Sequence, residues 1–170
     1  TVERNAGYLL ENNYRYSLRL AEYALKNELR FIYASSAATY GNGENGFKDD
    51  HSLLQSLKPL NMYGYSKHLF DLWLQKEGLL DQVTGLKFFN VFGPNEGHKG
   101  RMASAITHIL PTARAEHKVR LFKSTDPEKF PDGGQCRDFI SVWDSVKMVA
   151  AFLKNDAVGI YNIGTGKAET

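Results

Sequence analysis

Two short apolar segments with one amphipathic helix between them constrain this chain more than any other feature of its 170 residues. Leu29-Arg30-Phe31-Ile32-Tyr33-Ala34 reads as a buried strand, and Gly85-Leu86-Lys87-Phe88-Phe89-Asn90-Val91 reads as a second. Between them, residues 63–76 carry a helical period, with Leu69, Leu72 and Trp73 expected to face inward. A strand–helix–strand order calls for parallel strands with the helix as the crossover.

The remainder continues the alternation. A helix is predicted over 13–28, with Tyr14, Leu18, Ala21 and Leu25 along one side. Another is predicted over 102–116, where Pro111 should kink or divide it. Residues 119–122 read as a short strand, 143–155 as a helix capped by Asp144, and 160–163 as a closing strand. Residues 42–56 and 125–134 read as loops, the second suited to moving over a bound ligand. The expected class is α/β with a mainly parallel sheet.

Composition narrows the function. A formal charge of +2 gives no case for nucleic acid or a membrane surface, and no apolar run reaches the roughly 18–20 residues of a membrane span. The single cysteine, Cys136, excludes an internal disulfide and suits a reducing cytoplasm. The five histidines lack paired spacing, so no metal is expected. Sequence resembling the inside of a polypeptide starts at Thr1, and no glycine-rich dinucleotide turn is read after an early strand. The expectation is therefore a fragment of a larger enzyme.

The chemistry-bearing motif is Tyr63-Gly64-Tyr65-Ser66-Lys67. Four residues apart on a helix, a phenol and an ammonium share one face. A free tyrosine ionises near pH 10, and a neighbouring cation favours the phenolate. Such a pair suits proton transfer in an alcohol–ketone reaction. By itself the spacing is more often that of a surface aromatic and a solvated lysine. Upstream, Ser35-Ser36-Ala37-Ala38 follows the first strand, where open α/β sheets place ligand-contacting groups. Downstream the second strand runs into Phe92-Gly93-Pro94.

The order of strand, Ser-Ser, Tyr-x-x-x-Lys and strand with Asn and Gly-Pro resembles the extended short-chain dehydrogenase/reductase family, which handles nucleotide sugars. Asn90-Val91-Phe92-Gly93-Pro94-Asn95-Glu96-Gly97-His98-Lys99-Gly100, with Met102-Ala103-Ser104, resembles its ADP-heptose 6-epimerase branch. Asn12-Asn13-Tyr14, Pro59-Leu60-Asn61 and Gly164-Thr165-Gly166-Lys167 agree with the same branch. The resemblance implies a Rossmann-like, doubly wound sheet with a smaller substrate-binding domain. Residues 1–92 and 138–160 would be part of the dinucleotide-binding domain, and 93–137 and 161–170 part of the substrate-binding one.

By the same resemblance, Tyr63, Ser36, Lys67 and Lys99 are the catalytic candidates, with Lys99 a second acid/base opposite the tyrosine. Asn12, Lys67 and Val91 would contact the cofactor, NADP, with NAD as the alternative. Asn90, His108, Phe122, Lys123, Ser124, Thr125 and Arg137 would contact an ADP-heptose. Arg137 offers a bidentate fork for the diphosphate, or else pairs with Asp138. Arg101 stands where the branch is expected to carry a small hydroxyl residue. In isolation Asn12 reads equally as a helix N-cap, and Lys99 more readily as an exposed lysine in a glycine-flanked loop. The implied protein is a bacterial cytoplasmic homo-oligomer that inverts the sixth carbon of the heptose through a transient ketone, for the lipopolysaccharide core. A UDP-hexose 4-epimerase and a catalytically silent relative are the alternatives. A 4,6-dehydratase is disfavoured, because Ala37-Ala38 stands where such enzymes place Asp-Glu.

Overall fold

The computed structural model describes residues 3–124, 126–128 and 131–169. The chain forms two compact units, Thr1–Phe89 with Ala151–Ile163, and Asn90–Ala150 with Gly164–Thr170.

The first unit is built on a three-stranded parallel sheet of order β1-β2-β5, from β1 (Phe31–Ser36), β2 (Val83–Phe88) and β5 (Gly159–Ile163). The central strand β2 is buried at every position but its last, as expected of a strand flanked on both sides. Helices α1 (Ala6–Leu9) and α2 (Tyr16–Lys26) are joined by a π-helical turn, Leu10–Arg15. The helix thus starts well before residue 13, capped by Asn5, whose side chain accepts from the Tyr8 N–H. Ala21, Phe70, Leu74 and Val83 form the buried centre, with Tyr14, Leu18 and Leu25 packed on it. Residues 42–56 contain a 3₁₀ turn, His51–Ser56, anchored where the Ile160 N–H donates to His51 Nε2 at 2.8 Å.

Helix α3 (Met62–Lys76) begins at Asn61, whose side chain accepts from the Gly64 N–H at 2.9 Å. Its inward face is wider than the expected one, with Trp73 and Leu72 packed against the core at its margins. Phe70, Asp71 and Leu74 are buried, whereas Leu69, Leu72 and Trp73 are only half-buried, because the face also carries polar residues that the apolar period does not mark.

The second unit holds a two-stranded parallel sheet, β3 (Asn90–Phe92) with β4 (Phe139–Ser141), and α4 (Ala105–Glu116). Helix α5 (Val142–Phe152) follows β4 directly. The predicted strand over 85–91 is therefore two strands: Phe89 donates its N–H to Ile163 O, and Asn90 donates to Asp138 O. Residues 90–92 and 138–150 fall in the second compact unit and 161–163 in the first, whereas the expected domain boundaries put the former with the dinucleotide-binding part and the latter with the substrate-binding one. Residues 119–122 form no strand. Helix α4 runs through Pro111 undivided, with Ser104 as its N-cap. At α5 it is the Ser141 hydroxyl that accepts from the Trp143 N–H, while Asp144 sits in the first turn paired with Lys147.

A literal Gly-x-Gly-x-x-Gly does occur, at Gly41, Gly43 and Gly46, contrary to the reading that no such turn follows an early strand. All three take positive φ, within successive turns that open no helix. Without a helix N-terminus aimed at a ligand, the spelling lacks the geometry of a pyrophosphate site.

Candidate active site

In the first unit, Tyr63 and Lys67 lie one helical turn apart in α3, both half-buried. The Lys67 ammonium donates to Ala34 O at 3.0 Å, two residues before Ser36 on β1. This bond ties the Tyr-x-x-x-Lys face to the carboxyl end of the Ser36 strand. Burial lowers the Lys67 pKa, against the opposing pull of Asp71, so its charge is only partly screened by water. The Tyr63 hydroxyl makes no hydrogen bond among the described residues.

Ser36 ends β1 and caps the 3₁₀ turn Ala37–Tyr40, accepting from the Ala38 N–H at 3.2 Å. That bond uses an Oγ lone pair and leaves its own O–H uncommitted. The turn and the start of α3 approach closely at Gly64, where a Cβ would stand 2.6 Å from Ala38 O. Only a residue without a side chain lets Tyr63 come so near the turn that follows Ser36.

Behind these groups lies a polar core that the sequence does not announce. Lys87 and Asp71 are 1% and 0% exposed and form an ion pair at 3.1 Å. Asp71 also accepts from the hydroxyls of Tyr33 at 2.9 Å and Ser35 at 2.8 Å. Burial first, then Asp71, raises the pKa of Tyr33 well above its usual value, so the phenol stays a donor. Lys87 donates to Thr39 Oγ1 at 2.6 Å, and Thr39 donates in turn to Ser36 O at 2.9 Å. The Lys87 ammonium lies 4.8 Å from the Tyr40 ring centroid. Gly85 makes room for Tyr33, whose hydroxyl oxygen would stand 2.5 Å from a Cβ there. Thr39 links this network to the strand end that presents Ser36, and Ser35 links it to the preceding residue.

Asn12 folds back on its own helix, donating to Tyr8 O at 2.8 Å, and is exposed. It is not an N-cap. Its neighbour Asn13 instead donates to Ser66 Oγ at 3.0 Å, and Ser66 donates to Tyr63 O at 2.8 Å. The π turn contributes the extra residue that shifts which asparagine faces α3, and helix periodicity gives no warning of it.

The second unit contains Asn90, Val91, Lys99, Arg101 and His108. Val91 pairs with Ile140, and the Asn90 side chain donates to Asp138 O at 3.2 Å. Lys99 and Arg101 are exposed in the 3₁₀ segment Gly97–Met102, which is broken at Gly100 (φ 51°). His108 is exposed on α4. Glu96, which sequence reasoning passed over, is buried and pairs with Lys99 at 3.4 Å.

Phe122 and Lys123 are exposed, and Ser124 donates its N–H to Asp132 at 2.7 Å; Thr125 lies outside the described residues. Arg137 is exposed and donates to Cys136 O at 2.7 Å. The alternative pairing with Asp138 is not formed, because the Asp138 carboxylate accepts from the Thr165 N–H and hydroxyl and the Gly166 N–H instead. Among the described residues no cluster of three or more His, Cys, Asp or Glu side chains is placed to hold a metal ion.

Similar proteins identify the family. The family described as NAD dependent epimerase/dehydratase matches residues 2–164. The ADP-L-glycero-D-manno-heptose-6-epimerase of Nitratidesulfovibrio vulgaris is 54% identical over all of this chain and 53% of its own length. The enzyme of that name from Fusobacterium nucleatum is 50% identical over all of this chain and 52% of its own. The crystal structure of Helicobacter pylori ADP-L-glycero-D-manno-heptose-6-epimerase superposes with a TM-score of 0.78 at 30% identity, over 99% of this chain and 51% of that one. The chain thus spans about half the length of the curated relatives it matches.

Proposed function

Because this chain belongs to the NAD-dependent epimerase/dehydratase family, we propose that the complete protein is a nucleotide-sugar epimerase. Its substrate is ADP-D-glycero-D-manno-heptose and its reaction inversion at the sixth carbon, giving the L-glycero epimer through a transient ketone. The identity to heptose epimerases over the whole chain supports the substrate. The observation that carries the chemistry is the Lys67–Ala34 bond, which fastens the tyrosine–lysine face to the strand bearing Ser36.

The donors present fit a nicotinamide ribose. Lys67 has three N–H donors and spends one on Ala34 O, leaving two for a diol. Held there by Lys67, a nicotinamide would supply reversible hydride acceptance at the sugar carbon, with none consumed over a turnover. We assign NADP as that dinucleotide on the family resemblance alone. In this reading Asn12 and Val91 join Lys67 as cofactor contacts, and the first unit belongs to the dinucleotide-binding domain.

Tyr63 is assigned proton transfer at the sixth-carbon oxygen on one face of the ketone, with Lys67 one turn away on the same helix. Ser36 donates its uncommitted O–H to the same oxygen. Inversion demands proton transfer on both faces of the ketone, and one fixed phenol serves one face. Lys99 is assigned the second. Asn90, Arg101, His108, Phe122, Lys123, Ser124, Thr125 and Arg137 are assigned to the nucleotide sugar.

The test is direct. The complete protein, incubated with ADP-D-glycero-D-manno-heptose, should yield the L-glycero epimer, followed by NMR at the sixth carbon. Inversion of a UDP-hexose with none of the heptose overturns the substrate assignment. Lys99→Met should lower kcat while leaving cofactor affinity intact; unchanged turnover removes Lys99 from the mechanism.

A further inference from the structure

Glu96 is a buried carboxylate in a segment that is otherwise exposed, and five donors converge on it. Its Oε1 accepts from the Gly93 N–H at 3.1 Å, the Ser104 hydroxyl at 2.8 Å and the Thr107 hydroxyl at 3.1 Å. Its Oε2 accepts from the Ser104 N–H at 2.8 Å and from the Lys99 ammonium at 3.4 Å. Gly93 precedes the loop, and Ser104 and Thr107 follow it, so one side chain closes the loop 93–104 on itself. Ser104 is also the N-cap of α4, accepting from the Thr107 N–H at 3.2 Å. The knot therefore joins the loop carrying Lys99 and Arg101 to the helix carrying His108.

Burial tends to raise the Glu96 carboxyl, but the bonds from Ser104, Gly93 and Thr107 outweigh it and bring it from 4.5 to about 2. The group is a fixed anion across the working pH range. Among the described residues Lys99 is the one cation paired with it, and the lysine directly precedes the non-helical Gly100.

Resting on the reading of Lys99 as the second acid/base, we propose that Glu96 is its positioning residue: the carboxylate closes the loop and aims the ammonium. Glu96 does not itself touch the sugar. A loop lysine would otherwise sample many rotamers, and a displacement of about 1 Å in a reacting group can cost on the order of 100-fold in rate.

The experiment is a double-mutant cycle in the complete protein with ADP-D-glycero-D-manno-heptose as substrate. Glu96→Gln keeps the volume and removes the charge. Its kcat should fall by about 100-fold with KM within about twofold. In a Lys99→Met background it should cost nothing further, because its effect passes through Lys99. Multiplicative losses, or an unchanged kcat, overturn the proposal. Thr107→Val removes a single donor and should give a smaller loss of the same kind; a loss confined to stability speaks against positioning. Hydrogen exchange separates this inference from the function it rests on. Faster exchange at the Gly93 and Ser104 amides in Glu96→Gln supports the knot even where no heptose is turned over, and unchanged exchange overturns it.

Discussion

Lys87→Met offers the sharpest view of what holds Ser36 in place. The ammonium is 1% exposed, and its partners are Asp71 at 3.1 Å, Thr39 Oγ1 at 2.6 Å and the ring of Tyr40 at 4.8 Å. Methionine nearly matches the volume, so little cavity term enters. What remains is a carboxylate at 0% exposure that keeps two hydroxyl donors and loses its counter-charge. Breaking one side of a buried ion pair costs about 3–5 kcal/mol. At about 2–4 °C per kcal/mol for a chain of this size, the melting temperature should fall by about 6–20 °C.

Adding Asp71→Asn removes the stranded charge and keeps an acceptor for one hydroxyl, so the double variant should be more stable than the two single losses summed. Denaturant unfolding followed by the fluorescence of Trp73, which stacks on Phe70 in α3, reads both. A loss below about 1 kcal/mol in Lys87→Met, within the range of an ordinary surface change, refutes the bracing role, as do strictly additive losses.

Three further outcomes follow from the same geometry. Tyr63→Phe should reduce turnover by at least about 100-fold, as removal of a general acid/base does. Because the phenol bonds to nothing among the described residues, the melting temperature should stay within about 2 °C; an active Phe variant removes Tyr63 from the chemistry. Gly64→Ala should cost about 1–3 kcal/mol by overpacking, since its Cβ would meet Ala38 O at 2.6 Å, and should lower activity with it. Normal stability in that variant would mean that α3 and the Ser36 turn are not in close contact.

Glu96 binds its proton more weakly folded than unfolded, about 2 against 4.5, so its contribution is complete above pH 4.5 and is lost as pH falls towards 2. Glu96→Gln should flatten the acid limb of the stability profile in that window, and an unaltered limb contradicts the assignment.

What the sequence revealed divides along physical lines. The strands were legible at 29–34 and 85–91, each about two residues out of register with Phe31–Ser36 and Val83–Phe88, because apolar residues run together there, and α3 was legible from residue 63 by its helical spacing. Tyr63, Lys67 and Ser36 were legible as candidates because their chemistry follows from residue type and order. The bracing network was not. Lys87 in a strand and Asp71 on a helix are charged residues whose ordinary place is solvent, and only tertiary packing shows them buried together.

The break at Phe89 was hidden for a related reason. An apolar run gives no sign of where its hydrogen-bond partners change, here from Ile163 to Asp138. Residues 119–122 have strand composition but pair with no strand, and β propensity depends on a neighbour to pair with. Asn13 and Glu96 owe their places to a π turn and to a closed loop, which no periodicity encodes.

Reversible oxidation of the sugar carbon is the chemistry proposed for Tyr63, and the fate of one hydrogen tests it. With ADP-D-glycero-D-manno-heptose deuterated at the sixth carbon and incubated in ordinary water, the L-glycero product should keep its deuterium. Tyr63→Phe should give almost no product. Wash-out of the label at the rate of inversion would mean that the carbon loses a proton to solvent, and the proposed chemistry at Tyr63 would be wrong.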